Sequence, residues 1–180
     1  MKNVKLIAVG GEPASGKTSV FRHVQSKLAP MGREFRYKLV RGRMNAAGDV
    51  LMLGVFDGSL HEGTDKLSMA VQPDLLAFLD VLEAKGKKVV IVFEGDRLFN
   101  GALFDKVEED CSLFVLTTNR QAENIRARGT NQTDAFLLSK KTKVANICKR
   151  FKHTPIENNH PESMEEAAEV IVKEIKRLLS

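Results

Sequence analysis

The chain has 180 residues, 43% apolar and 28% charged, a balance that suits one folded domain (1–180) and excludes a long disordered or collagen-like chain. Aromatics are scarce, with one Tyr and no Trp, which excludes an obvious stacking platform for single-stranded nucleic acid, while the net charge of +5 leaves room for an anionic partner. No apolar run could span a bilayer, the opening apolar run is too short for a signal peptide, and Cys111 and Cys148 lack metal-site spacing, so reduced thiols in a cytoplasmic protein without membrane contact are expected.

The first predicted strand, Lys5 to Val9, runs into GEPASGKT at Gly11 to Thr18, a complete G-x-x-x-x-G-K-[ST] loop opening a helix that closes near Pro30-Met31-Gly32. In that setting the glycines let backbone N–H groups turn around phosphate oxygens, and the helix N-terminus adds its positive end. Gly11, Ala14, Ser15, Gly16, Lys17, Thr18 and Ser19 are therefore candidate nucleotide-binding residues, with Lys17 reaching the β/γ-phosphates and the Thr18 hydroxyl a ligand for Mg²⁺. Phe35 to Val40 and Val50 to Phe56 read as strands separated by a turn-like Gly42 to Asp49, a hairpin or an irregular pair. Arg41 and Arg43 beside them are candidate acceptor contacts. The glycine-punctuated segment Asp57 to Leu67 reads as a functional loop, in which Asp57 or Asp65 could take the proton of an attacking hydroxyl. Thr64 and Asp65 could also hold the acceptor, or equally form a turn or helix cap; the lone His61 reads as a surface residue.

Pro73 marks the first turn of a helix whose stripe Leu75, Leu76, Leu79 and Leu82 ends at Gly86. Val89 to Phe93 is continuously apolar, as in a central strand buried on both faces, and it ends in Glu94 and Asp96. If the strand persists the two acids share a side, and Glu94 becomes, with Thr18, a candidate for holding Mg²⁺; Asp96 can equally cap the next helix. Arg97 is a candidate acceptor contact. Leu98 to Val107 reads as helix and Leu113 to Leu116 as a buried strand. From Gln121 the pattern is helical and basic, broken by Gly129-Thr130-Asn131 and resumed from Asp134 to Phe151 with Leu137, Val144, Cys148 and Phe151 on one side. Residues 120–152 hold nine Lys/Arg against Glu123 and Asp134, whereas residues 57–83 hold six acids against Lys66. Phosphoryl transfer needs cations around the moving group, so Arg126 and Arg128 are candidate catalytic residues, Arg120 a nucleotide contact, and Lys140, Lys141 and Lys143 further lid cations, with Gly129 as a hinge. Thr154 to Ile156 reads as a last strand. Ser163 to Glu166 has the form of a capping box before a final helix buried through Met164, Ala168, Ile171, Ile175 and Leu178. Strands alternating with helices imply an α/β fold with a mostly parallel sheet covered on both faces.

GEPASGKT, the FEGDR strand end and the arginine-bearing segment from Asn119 to Arg128 together resemble the P-loop kinases of the nucleoside monophosphate kinase type, over nearly the whole chain. The resemblance implies ATP and Mg²⁺, a three-layer fold with five parallel strands in the order 2-3-1-4-5, and a helical lid at about 119–143. HEGTDKLSMAVQPD, FEGDRLFN and LLSKKTKVANI look like small bacteriophage nucleotide kinases, some of them similar to 5-hydroxymethyluracil DNA kinases; this implies a modified base in DNA as acceptor, acted on in the host cytoplasm. The Phe35 to Phe56 segment departs from ordinary nucleoside monophosphate kinases, where a compact helical acceptor region is expected, and this counts against a free nucleoside monophosphate. A deoxynucleoside monophosphate kinase remains the alternative of the same class. A P-loop NTPase switch without transfer, and a nucleic-acid-binding module with an incidental ATP site, are the alternatives from other classes.

Overall fold

The computed structural model describes residues 1–28, 30–58, 62–128 and 133–180, and of Arg128 the backbone alone. Period-2 alternation along the central strands sets the layers. β1 (Val4–Gly11) pairs in parallel with β5 (Val89–Glu94) on one side and β6 (Cys111–Thr117) on the other. In β1 and β5, Val4, Leu6, Ala8, Val89, Ile91 and Phe93 enter one core, while Ile7, Val9, Val90 and Val92 enter the other. The first core is closed by α2 (Val71–Ala84), α3 (Gly101–Val107) and α5 (Asp134–Arg150). The second is closed by α1 (Lys17–Lys27) and α6 (Ser163–Leu179), which also pack on each other. These strands are apolar on both faces because helices cover both.

Among the described residues the sheet has seven strands in the order β2-β3-β4-β5-β1-β6-β7, which corrects the expected count of five, while the five parallel strands taken alone, numbered in chain order, lie in the order 2-3-1-4-5. β4 (Val50–Leu53), β5, β1, β6 and β7 (Thr154–Glu157) run parallel; the additional strands β2 (Arg33–Tyr37) and β3 (Val40–Met44) extend the β4 edge as an antiparallel meander. The single strand expected from Phe35 to Val40 is thus two strands with a turn at Lys38-Leu39. The turn carries no glycine to announce it. Lys38 takes φ 50, and the Asp74 carboxylate secures the turn by pairing with Lys38 and accepting the Leu39 N–H. Gly42, expected in a turn, instead lies within β3, where a Cβ would meet Met52 O at 2.2 Å and the Phe35 ring at 2.7 Å.

Two helix starts also differ. α3 begins at Gly101, because Asn100 Oδ1 accepts the Leu103 N–H at 2.9 Å and sets the cap there, leaving Leu98 and Phe99 buried in the connection. The Ser163 capping box does not form: Ser163 is already helical, and its hydroxyl accepts the His160 N–H. Cys111 and Cys148 are free thiols, and burial pushes Cys111 up to about 12. Among the described residues no helix is long and apolar enough to cross a membrane.

Candidate phosphate-binding site

The loop from Gly11 to Thr18 joins β1 to α1 at the carboxyl end of the sheet. Ala14 (φ 59) and Gly16 (φ 89) take left-handed backbone, the alternation that turns successive N–H groups to one side. The Lys17 ammonium lies back over the loop, donating to Gly11 O at 2.9 Å and Glu12 O at 2.8 Å. Ser15 is fully buried, and Ser19 is half-buried on the first turn of α1.

Strand parity explains the partner of Thr18. Val90 and Val92 face α1, so Glu94 at the end of β5 faces it too, and Thr18 Oγ1 donates to Glu94 Oε1 at 3.2 Å. Glu94 is 3% exposed. The loop after β4 closes over it: Val55 and Gly63 exchange N–H···O bonds at 3.0 Å, and the buried Thr64 hydroxyl donates to Glu94 O. Asp65 Oδ1 accepts the Arg97 N–H at 3.0 Å, and Arg97 Nη2 returns a bond to Asp65 O. The fold thus gathers Thr18, Thr64, Asp65, Glu94 and Arg97 beside the loop. A hydroxyl next to one buried carboxylate fits Mg²⁺, which keeps waters and phosphate oxygens for its remaining positions. No cluster of three or more His, Cys, Asp or Glu side chains suited to a metal exists among the described residues.

Glu94 and Asp96 do not share a side. The strand ends at Glu94, the chain turns at Gly95, and Asp96 crosses to α5, where Lys140 Nζ pairs with it at 2.5 Å and Lys143 donates to its main-chain oxygen. Burial pushes the Asp96 carboxyl up, but the bound Lys140 and nearby Lys143 outweigh this and hold it below the usual carboxylate range. Burial, opposed by Asp96, draws Lys143 below the usual lysine range. Lys140 and Lys143 of α5 are therefore tied to the residue that follows Gly95 at the end of β5, while Lys141 is exposed.

The remaining candidates are dispersed. Asp57 is exposed and pairs with Lys66, whereas Asp65 meets Arg97. α4 (Gln121–Arg128) carries Arg126 exposed to solvent, and Arg120 just before it turns back to Glu123 at 2.9 Å. The side chain of Arg128 and the Gly129-Thr130-Asn131 break lie outside the described residues, as does His61. Arg41 and Arg43 line a groove of about 420 Å³ on the meander with Arg36, Phe56 and Asp57. Arg43 Nη2 donates to Phe56 O at 2.7 Å, and Phe56 stacks on Phe21 of α1, which ties this groove to the helix that follows the phosphate loop. A cavity of about 580 Å³ where β6 and β7 begin lies at the other end of the sheet.

Three residues escaped sequence reasoning: Gln121, Asn124 and Asn158, whose side chains bond carbonyls of the phosphate loop. Uncharged amides outside a motif carry no spacing signal, so nothing in the sequence singles them out.

No family model matches the chain, and a search of curated proteins returns no match. Among solved structures, the Thermus thermophilus protein TT1252 aligns at 15% identity over 96% of this chain and 98% of its own, with a TM-score of 0.52. A sugar kinase from Janibacter sp. aligns at 14% identity over 98% of this chain and 99% of its own, with a TM-score of 0.49. A shikimate kinase from Acinetobacter baumannii aligns at 14% identity over 99% and 97%, with a TM-score of 0.47. The likeness to TT1252 shows a shared α/β fold that spans nearly the full length of both chains.

Proposed function

We propose that the chain is an ATP-dependent phosphotransferase that moves the γ-phosphoryl group to a nucleotide-like acceptor, with a hydroxymethylpyrimidine in phage DNA as the most specific candidate. The observation that carries the reading is the Thr18 hydroxyl on the buried Glu94 carboxylate, set directly beside a complete phosphate loop. Phosphoryl transfer asks a protein mainly to position reactants and to stabilise spreading charge. Lys17 exchanges its two loop carbonyls for β/γ-phosphate oxygens, and Thr18 with Glu94 holds Mg²⁺. When bound, that ion neutralises charge on the phosphate oxygens. Asp65, oriented by the Arg97 N–H, accepts the proton of the attacking hydroxyl. Arg41 and Arg43 approach the acceptor from the groove on the meander. Arg126 is exposed and Arg120 engaged with Glu123, so a lid role for either requires α4 to move.

The exposed Arg126 and the Arg120 engaged with Glu123 favour a second reading, an NTPase switch in which a partner supplies the arginine that meets the γ-phosphoryl group. Incubation with γ-labelled ATP and Mg²⁺ against nucleosides, nucleoside monophosphates, and DNA with normal or hydroxymethylated pyrimidines separates them. Label in hydroxymethylated DNA is the expected result. Label in a nucleoside monophosphate would replace the acceptor, and label found only as free phosphate would overturn the kinase reading.

A further inference from the structure

Three side-chain amides hold three consecutive carbonyls of the phosphate loop. Gln121 Nε2 donates to Pro13 O at 3.0 Å, Asn124 Nδ2 to Ala14 O at 2.9 Å, and Asn158 Nδ2 to Ser15 O at 2.8 Å. In a trans peptide the carbonyl and the next N–H point in opposite directions. Drawing these carbonyls outward therefore turns the N–H groups of Ala14, Ser15 and Gly16 away from α4 and Asn158. Ser15 N–H makes a long 3.3 Å bond to Glu12 O within the loop, and Ala14 and Gly16 hold the left-handed angles of an anion-binding nest.

The three amides have different supports. Asn158 follows β7, is 8% exposed, and bonds Thr117 O through its own N–H, so it is fixed to the sheet. It lies so close that a Cβ on Gly16 would stand 2.1 Å from its Nδ2. Gln121 and Asn124 stand one turn apart on α4, an eight-residue helix in which none of the side chains described, Gln121 to Ala127, is fully buried. One carbonyl is thus held by the rigid sheet and two by a lightly anchored helix.

We propose that Gln121 and Asn124 are positioning residues that couple the docking of α4 to the anion-binding shape of the loop. The inference rests on the reading of Gly11 to Thr18 as a nucleoside triphosphate site. Coupling between equilibria is reciprocal, so docked α4 tightens nucleotide binding and bound nucleotide holds α4 in place.

The test uses the full chain and ADP with Mg²⁺. Gln121→Met with Asn124→Leu keeps the approximate side-chain volume and adds no charge, but removes both donors. Calorimetric titration of the double variant should give a Kd raised about tenfold, the loss expected for one to two net hydrogen bonds. In the wild type, saturating ADP should slow hydrogen exchange of the α4 amides; in the double variant it should not. The wild-type exchange measurement stands even if the variant is unstable. A Kd within about twofold of wild type, or α4 exchange indifferent to ADP in the wild type, would overturn the coupling while leaving the nucleotide site intact. Failure of the wild type to bind ADP at all would instead remove the reading on which it rests.

Discussion

Gly63→Ala asks whether the loop after β4 is built around Glu94. Gly63 has φ 104 and ψ −155, a region open essentially to glycine alone, so a Cβ costs about 1–3 kcal/mol in backbone strain. The new carbon would also stand 2.6 Å from Glu94 Oε1. Glu94 is 3% exposed and cannot swing into water, so the contact is relieved by disturbing its bond to Thr18, about 1 kcal/mol more. The sum, about 2–4 kcal/mol, corresponds to a melting midpoint lower by about 6–10 °C for a chain of this size. Thermal unfolding followed by circular dichroism measures it. Well below that midpoint, where the variant is folded, ATP turnover should still fall about 100-fold, because the carboxylate paired with Thr18 is displaced. Gly58→Ala supplies the control: φ is 80 but nothing lies within 4 Å of its added Cβ, so it carries strain without the clash and should turn over normally. A Gly63→Ala protein that melts within about 2 °C of wild type and keeps its turnover refutes the reasoning.

Lys17→Ala should abolish ATP turnover and leave the chain folded, since the described bonds of its ammonium go to backbone carbonyls of its own loop; undiminished transfer would sink the donor-site assignment. Asp96 has a folded pKa below its ordinary 3.8, so its contribution to stability is complete above that pH and is lost as pH falls through the lowered value. The melting difference between wild type and Asp96→Asn should therefore be widest at neutral pH and shrink below 3.8, and a constant difference would show that the Lys140 pair is not its source. With its thiol pushed up to about 12, Cys111 should resist an aromatic disulfide reagent in the folded protein at pH 8 and react once urea unfolds it, as thiol titration with mass mapping would reveal.

The phosphate loop and the strand and helix around it were legible because their signal is local. GEPASGKT is contiguous, its flanking strand and helix are adjacent in sequence, and the apolar run before Glu94 announces a central strand. The meander was misread because its turn is formed by Lys38 and Leu39, ordinary residues held by Asp74 more than thirty positions away. Asp96 was misplaced for a related reason: alternation predicts sides only while a strand lasts, and β5 ends at Glu94, two residues before Asp96. Gln121, Asn124 and Asn158 were invisible because an amide that bonds a carbonyl through its side chain needs no fixed spacing from it.

The edge meander changes what can reach the proposed donor site. A helical acceptor region would place a cover over that edge; here β2 and β3 continue the sheet beyond β4. Arg36 pairs in register with Arg41, Arg43 follows two residues later on the same face, and the opposite face of the meander is spent on packing Phe35 and Tyr37 against Phe78 of α2. The arginine face is half-buried to exposed and meets the chain that leads through Phe56 toward Gly63 and Glu94. On the proposed reading, an acceptor carried on a long polyanion could lie along this face with only its terminal hydroxyl beside Asp65. A small free nucleotide would engage few of these cations. Arg36→Ala with Arg41→Ala should therefore weaken transfer to DNA and flatten its dependence on salt, by about one phosphate contact for each arginine that touches the strand. Unchanged salt dependence with DNA as acceptor would place the strand elsewhere.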